Sequence, residues 1–178
     1  MIYLLDSNVL ITAKNQYYGF DAVPEYWDWL LHQAEQGIVK LPLEMYEEIV
    51  PPNAKKHPDD LAQWLSTSEI KSAIVFDEQV DAAMVGEVLG IGYGTNLTDS
   101  DVVSIGGDPF LIAYARVAPA ERTVITAEVS APKKQRQNRK VPDVCKSFGV
   151  TWHDPHRMNK ELEFSTNWKK AVGGKKRK

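Results

Sequence analysis

The sequence begins with Met1-Ile-Tyr-Leu-Leu-Asp6, a run of five apolar residues that leads into an acid. A continuous apolar run, without the alternation of a half-exposed strand, is typical of a strand buried on both faces of a parallel sheet. The carboxyl end of this strand would present Asp6 at the edge of the sheet. An acid at the end of a buried strand is uncommon, so Asp6 is the first candidate for a functional residue.

Further short apolar runs alternate with helical patterns. The run 38–41 leads into a helix that carries Glu44, Glu47 and Glu48, with Pro42 expected as its first residue. Helices are also expected over the ranges 24–36, 59–66 and 78–89.

Later in the chain, the turn residues Gly106-Gly107 precede an apolar helix in which Asp108 is expected to be the N-cap. Strands are expected at 123–126 and 150–152. This alternation predicts an α/β protein, a three-layer α/β/α sandwich with a central, mainly parallel sheet. The glycine-rich stretch 86–94 matches no phosphate-binding pattern and is interpreted as a connector.

The composition excludes several classes of protein. Hydrophobic residues make up 43% and charged residues 25%, which is typical of a globular domain and not of a disordered or fibrous chain. The apolar runs are too short to cross a bilayer, and Asp6 interrupts the region where a signal peptide would be apolar. We therefore expect a cytoplasmic protein without a membrane anchor. The single cysteine, Cys145, agrees with a reducing compartment and is expected to be a buried core thiol.

The net charge of -3 conceals two parts of opposite charge. Residues 1–132 carry 7 Lys+Arg against 20 Asp+Glu, whereas residues 133–178 carry 14 against 4. An acidic body can gather cations, and a basic end can attract a polyanion.

Four acids are expected where strands end or where the next helix begins, which is where sites form in parallel α/β sheets. These acids are Asp6, Glu48, Asp108 and Glu128. Carboxylates crowded together oppose one another's ionisation, and a divalent cation such as Mg²⁺ or Mn²⁺ relieves the conflict. Such a centre suits hydrolysis of a phosphodiester bond.

Four motifs carry a family resemblance. They are Leu5-Asp-Ser-Asn-Val-Leu-Ile11, Glu48-Ile49, Asp108-Pro-Phe-Leu-Ile-Ala-Tyr-Ala115 and Val124-Ile-Thr-Ala-Glu128. In this order, over residues 1 to about 152, the chain resembles the PIN-domain nucleases, which include the VapC-type toxins of toxin-antitoxin pairs.

The resemblance implies an RNA endonuclease that depends on Mg²⁺ or Mn²⁺, with Asp6, Glu48 and Asp108 as metal ligands. Glu128 stands where the family usually has aspartate, and Asp143 is the alternative fourth acid. Glu44 is the competitor of Glu48. The resemblance further implies that Asn8 and Thr126 support the ligands or contact phosphate.

It also suggests a homodimer and a small antitoxin that covers the acidic groove. Residues 1–155 would form the nuclease domain, followed by a basic, partly flexible extension over 156–178. A basic stretch within the domain is expected to bind RNA phosphates through Lys133, Lys134, Arg136, Arg139 and Lys140.

Two alternatives remain open. A catalytically silent PIN-like module could bind RNA or a protein partner, with Glu128 marking decay of the site. A phosphatase of the haloacid dehalogenase type would use Asp6 as a nucleophile, but that family has a second aspartate where Asn8 stands.

Overall fold

A parallel sheet of five strands forms the centre of the computed structural model, which describes residues 1–53, 59–76 and 78–175. The strands are β1 (Ile2–Leu5), β2 (Val39–Pro42), β3 (Val75–Phe76), β4 (Arg122–Ile125) and β5 (Trp152–His153). Their order across the sheet is β3-β2-β1-β4-β5, and all neighbours pair in parallel. Helices flank this sheet, so the predicted three-layer α/β/α architecture is confirmed.

The helices fall mostly between the strands, as the alternation predicts. They are α1 (Ser7–Thr12), α2 (Pro24–Glu35), α3 (Leu43–Ile49), α4 (Asp60–Ser66), α5 (Ser68–Ile74), α6 (Ala82–Glu87), α7 (Asp99–Ile105), α8 (Asp108–Val117), α9 (Val141–Ser147), α10 (Pro155–Glu161) and α11 (Trp168–Lys175). Two π-helical turns extend α1 and α6, at Ala13–Tyr17 and Val88–Tyr93, and a 3₁₀ turn covers Arg136–Asn138.

The middle of the sheet is fully buried. Leu4 and Leu5 of β1 have no exposed surface, and neither have Val124 and Ile125 of the neighbouring β4. Burial of each such side chain stabilises the fold by about 1.5–3 kcal/mol. The apolar run at the start of the sequence is therefore the central strand, as predicted.

The chain changes direction across the sheet between β1 and β4. It builds β1, β2 and β3 toward one edge, and then returns past β1 to add β4 and β5 on the other side. In open α/β sheets, ligands bind beyond the carboxyl ends of the strands at such a switch point. The β1–β4 pairing, with Leu5 opposite Ile125, places Asp6 beside Thr126 there.

The prediction of a connector over 86–94 is wrong. The stretch continues α6 as the π-helical turn and brings Val88 and Tyr93 into the core, at 0% and 2% exposure. A Cβ atom on Gly92 would lie 2.8 Å from a methyl group of Val144, so glycine is required where this turn packs against α9. Glycine here permits close packing, which the sequence pattern alone does not distinguish from a loop.

Two helix starts also differ from expectation. Asp108 is the first residue of α8 and Gly107 is the N-cap, while Pro42 ends β2 and is itself the N-cap of α3. Each boundary lies one residue from the expected position, and neither cap uses a side-chain hydrogen bond.

The segment expected to be a basic extension packs on the body over much of its length. Met158 and Trp168 are 0% and 8% exposed, and the Trp168 indole donates to the carbonyl of Glu25 at 3.1 Å. Residues 176–178 of the basic end, like residues 54–58, lie outside the described ranges. Within those ranges, no helix has both the length and the apolar character needed to cross a membrane.

Candidate functional site

Asp6 lies beyond the carboxyl end of β1 and is only 3% exposed. It is the N-cap of α1 and accepts a hydrogen bond of 3.2 Å from the backbone N–H of Asn8. Its Oδ2 accepts two more, from Asn8 Nδ2 at 2.6 Å and from Thr126 Oγ1 at 2.7 Å. These donors offset part of the cost of burying a carboxylate and hold Asp6 in one orientation.

Asn8 and Thr126 join the ends of β1 and β4. Asn8 Oδ1 accepts from the backbone N–H of Ala127 at 2.9 Å, and Thr126 Oγ1 accepts from that of Glu128 at 3.1 Å. Thr126 has no exposed surface, so it is placed to orient Asp6 and not to meet a ligand from solvent. Both side chains therefore contact Asp6 directly, and their support of a metal ligand or contact with phosphate stays a prediction.

Asp108 approaches Asp6 from the first turn of α8, a helix that packs against β1 and β4. The hydroxyl of Tyr93 donates to Asp108 Oδ2 at 3.1 Å. Burial raises the pKa of Asp108 to about 8, and the negative charges of Asp6 and the two other predicted ligands add to this rise. The hydrogen bond from Tyr93 opposes it.

The pKa of Asp6 is also raised, but less than that of Asp108. Burial raises its pKa to about 6, the hydrogen bonds from Thr126 and Asn8 oppose that rise, and the charges of Glu128 and Glu48 reinforce it. Two neighbouring carboxyl groups therefore lie where their anionic forms are disfavoured. A divalent cation would stabilise both anions at once.

The side chain of Glu48 extends from α3 toward Ser7, which is next to Asp6 in the sequence. Its Oε2 accepts from Ser7 Oγ at 2.5 Å, and its Oε1 accepts from the backbone N–H of Gly107 at 2.9 Å. Ser7 Oγ also lies 3.5 Å from Asp6 Oδ1, so this hydroxyl connects two of the acids.

The glycine pair before α8 allows Glu48 to approach. Gly106 has φ +63°, and a Cβ atom there would lie 2.9 Å from Glu48 Oε1. A Cβ atom on Gly107 would lie 2.1 Å from the terminal methyl group of Met45, which is fully buried. Both positions therefore favour glycine for reasons of space around α3.

Glu44, the competitor of Glu48, lies one turn earlier on the same helix. Its Oε2 is buried without a hydrogen-bond partner among the described residues. Burial raises its pKa, and Glu47 adds to the rise. The structure gives Glu48, and not Glu44, the direct hydrogen bonds to Ser7 and Gly107.

Glu128 lies near the other three acids, with both carboxylate oxygens already engaged. Lys140 Nζ donates to its Oε1 at 2.5 Å, and the backbone N–H of Val141 donates to its Oε2 at 2.8 Å. The hydrogen bond with Glu128 raises the pKa of Lys140, and the charges of Asp108 and Asp6 contribute. The Lys140 ammonium group is thus a positive charge at the border of the acids.

Asp143, the alternative fourth acid, holds a loop instead. It accepts from Ser130 Oγ at 2.5 Å and from the backbone N–H of Ala131 at 2.7 Å. The structure therefore brings Asp6, Glu48, Asp108 and Glu128 near one another, and we refer to these four residues as the acid cluster.

The predicted RNA-binding stretch divides into anchored and exposed side chains. Arg139 donates to the carbonyls of Gly92 and Asp143, and Arg136 forms an ion pair of 2.8 Å with Asp101. Lys133 and Lys134 are exposed. Of the five predicted cations, these two lysines are the ones whose side chains point to solvent without a partner in the described part of the chain.

Sequence reasoning did not predict the contacts that Ser7, Tyr93 and Lys140 make with the acid cluster. Tyr93 was within the stretch interpreted as a connector, and the signal for it was a large aromatic residue between two glycines, in Gly92-Tyr-Gly94. Lys140 was expected to bind RNA, although it pairs with Glu128. None of these three hydrogen bonds follows from local sequence, because each joins residues that lie at least 12 positions apart.

The donor types of the acid cluster fit Mg²⁺ or Mn²⁺, which prefer carboxylate oxygens. The raised pKa values of Asp6 and Asp108 agree, since these buried acids lack a compensating charge of their own. Among the described residues, however, no three acidic, histidine or cysteine side chains are grouped so that they could hold a metal ion as they stand. Glu48 or Glu128 would have to exchange a present partner for the cation.

Comparison with curated proteins gives no match to this chain. One domain family does match, over a span that includes β1 from Tyr3 onward, the other four strands and the whole acid cluster. Because residues 3–166 match the family described as "Domain of unknown function (DUF4411)", the chain belongs to that family.

Proposed function

We propose that the protein is a metal-dependent endoribonuclease that hydrolyses RNA phosphodiester bonds in the cytoplasm. The observation that carries the proposal is the position of Asp6 and Asp108. The buried Asp6 and the partly buried Asp108 both have raised pKa values and lie near each other at the switch point of a parallel sheet, where ligands of such folds bind.

Each residue has a part in this proposal. Asp6 and Asp108 would hold Mg²⁺ or Mn²⁺ together with Glu48, and Glu128 would border the site. When bound, the cation would supply an activated water and neutralise charge on the phosphate. Asn8 and Thr126 keep Asp6 in orientation, and the Tyr93 hydroxyl does the same for Asp108.

The choice of RNA rests on the resemblance to PIN-domain nucleases and on the basic stretch. Lys133 and Lys134 are free to meet phosphates, whereas Arg136 and Arg139 shape the loop that carries them. The same resemblance supports a role as the toxin of a toxin-antitoxin pair, with an antitoxin and a second copy of the chain as partners.

The test is cleavage of a 5′-labelled single-stranded RNA with MgCl₂ or MnCl₂, with EDTA as the blank. We expect fragments with 3′-hydroxyl and 5′-phosphate ends, and at least a 100-fold loss of rate in Asp108→Asn. The matched control is Asp99→Asn, an exposed aspartate at the start of α7. Full activity of Asp108→Asn, or activity that persists in EDTA, would reject the proposal.

A second candidate is a silent module that binds RNA or protein without cutting. It is favoured by the pairing of Glu128 with Lys140 and Val141, which leaves this acid without a free oxygen. Salt-sensitive RNA binding in a protein that takes up no Mn²⁺ would select this candidate.

The phosphatase alternative receives no support from the contacts of Asn8. The Asn8 amide nitrogen donates to Asp6 and its carbonyl oxygen accepts from the backbone N–H of Ala127. The residue at the position expected of a second catalytic aspartate therefore holds Asp6 in place. Formation of a phosphoaspartate at Asp6 with a phosphomonoester would restore that alternative.

A further inference from the structure

A cavity of about 600 Å³ opens beside the acid cluster. Its wall includes the π-helical turn Ala13–Tyr17, the strand residue Trp152 and the α10 residue Asn159. A cavity of this size is within the range of small-ligand sites, roughly 300–1,000 Å³.

The cavity adjoins the candidate active site through one segment of chain. Residues 127–130, which follow β4, form part of its wall. Glu128 belongs both to this wall and to the acid cluster, and Val129 next to it is 80% exposed. A ligand in the cavity would therefore lie beside Glu128, and a phosphate attached to that ligand could extend toward the acid cluster.

Aromatic rings form one part of the wall. Tyr18 stacks on Tyr26 with 4.1 Å between ring centroids, so its orientation is fixed by the core. Tyr17 is 53% exposed and meets His156 edge-on at 5.4 Å. Tyr17 ends a π-helical turn, and such turns are rare and are found frequently at functional sites.

The polar groups of the wall suit a neutral ligand with hydrogen-bonding edges. Asn159 is 7% exposed and its Oδ1 has no hydrogen-bond partner, while its Nδ2 lies 3.4 Å from the Tyr18 hydroxyl. The described lining includes Glu128 and Asp154 and contains no lysine or arginine. A phosphate would be repelled there, whereas a flat uncharged ring would stack and could donate to Asn159.

We propose that this cavity receives one unstacked nucleobase of a single-stranded RNA whose neighbouring phosphate lies at the acid cluster. The inference rests on the proposed ribonuclease function and adds a substrate class to it. Single-stranded RNA is the substrate, because a base in a duplex is stacked and cannot enter. Tyr17 supplies the stacking face, and Asn159 contacts the edge of the base.

The test uses a fluorescent oligouridine 8-mer bound to the Asp108→Asn protein, in which cleavage is prevented. Uridine monophosphate and ribose 5-phosphate are the competitors, and they differ only by the base. We expect the nucleotide to displace the 8-mer at a concentration about tenfold lower than the sugar phosphate. Base–aromatic stacking of about 1–3 kcal/mol accounts for a change of this size.

Variants at Tyr17 test whether the contribution of the base to binding arises in this cavity. Tyr17→Ala should weaken binding of the 8-mer about tenfold and abolish the advantage of the nucleotide, whereas Tyr17→Phe keeps the ring and should bind within twofold of the parent. Val103→Ala, which removes an exposed side chain of α7, is the surface control.

The outcomes distinguish failure of the nucleobase site from failure of the ribonuclease proposal. Equal displacement by both competitors, or unchanged binding in Tyr17→Ala, would overturn the nucleobase site even if the wild-type protein cuts RNA. Base-dependent binding without any metal-dependent cleavage would reject the ribonuclease proposal and retain the cavity as a nucleotide site. If Tyr17→Ala instead converted a dimer to a monomer in light scattering, the cavity would belong to an interface between copies, and the inference would be wrong.

Discussion

Thr126 and Asp6 follow neighbouring strands, and the Thr126 hydroxyl donates a hydrogen bond of 2.7 Å to Asp6 Oδ2. The hydroxyl is fully buried, and its oxygen also accepts from the backbone N–H of Glu128. The pairing of β1 with β4 thus sets the position of two acids through one threonine.

Replacement of Thr126 by valine keeps the shape of the side chain and removes these hydrogen bonds. The free energy of unfolding should fall by about 1–3 kcal/mol, because buried polar groups lose their partner. The pKa of Asp6 should rise above its present value of about 6, since the hydrogen bond from Thr126 lowers it.

Urea unfolding and carbon NMR titration of the carboxyl group measure these two effects. Thr126→Ser, which retains the hydroxyl, is the control and should keep the pKa of Asp6. An unchanged pKa in Thr126→Val would contradict the orienting role of the hydroxyl.

Neutralising Asp108 should stabilise the protein in alkaline but not in acid solution. The folded state raises the pKa of this acid from 3.8 to about 8, so it binds the proton more tightly than the unfolded chain. Stability contributed by the protonated form is therefore present below pH 4 and is lost as the pH rises toward 8. Asparagine cannot ionise, so Asp108→Asn does not suffer this loss.

We expect Asp108→Asn to be more stable than the wild type by up to about 5 kcal/mol at pH 8 without metal, and nearly equal to it at pH 4. Urea unfolding at both pH values measures the difference, with Asp99→Asn as the control at an exposed position. A variant that is less stable than the wild type at pH 8 would contradict the account in which burial of Asp108, together with the charges of the other acids, disfavours its anion.

Removal of the Lys140 ammonium group should strengthen metal binding. Lys140 donates to one oxygen of Glu128, and its charge competes with a cation for the acid cluster. In Lys140→Met, that oxygen is freed and the cluster gains one unit of negative charge. The affinity for Mn²⁺ should rise about fivefold, which corresponds to roughly 1 kcal/mol for a partly exposed ion pair.

Calorimetry measures this affinity, and Lys133→Met is the control because Lys133 is exposed and makes no described contact with the acids. A lower affinity in Lys140→Met would indicate that the lysine organises Glu128 for the metal and does not compete with it.

The fold and the strand-end acids were predictable because they depend on local patterns. The apolar run before Asp6 is typical of a buried strand, and parallel strands bring their carboxyl ends to one edge of the sheet. The same rule predicts that Glu128, which follows the strand expected to end at Thr126, lies near Asp6.

Contacts between distant segments were not predictable. Tyr93 contacts Asp108 because a π-helical turn packs closely on α9, which Gly92 permits. No periodic pattern in the sequence predicts such a turn. Arg139 satisfies backbone carbonyls, and Lys140 pairs with Glu128, although both belong to a stretch that resembles a phosphate-binding surface. Composition gives the charge of a segment, while its partners depend on the tertiary structure.

The central claim is that the acid cluster holds a divalent cation, and titration of the metal-free protein with MnCl₂ at pH 8 in a calorimeter tests it most directly. We predict saturable binding with a dissociation constant below about 1 mM, the range in which a physiological metal site operates. This binding should be lost in Asp108→Asn and kept in Asp99→Asn. No heat of binding in the wild type, or equal binding in Asp108→Asn, would contradict the account.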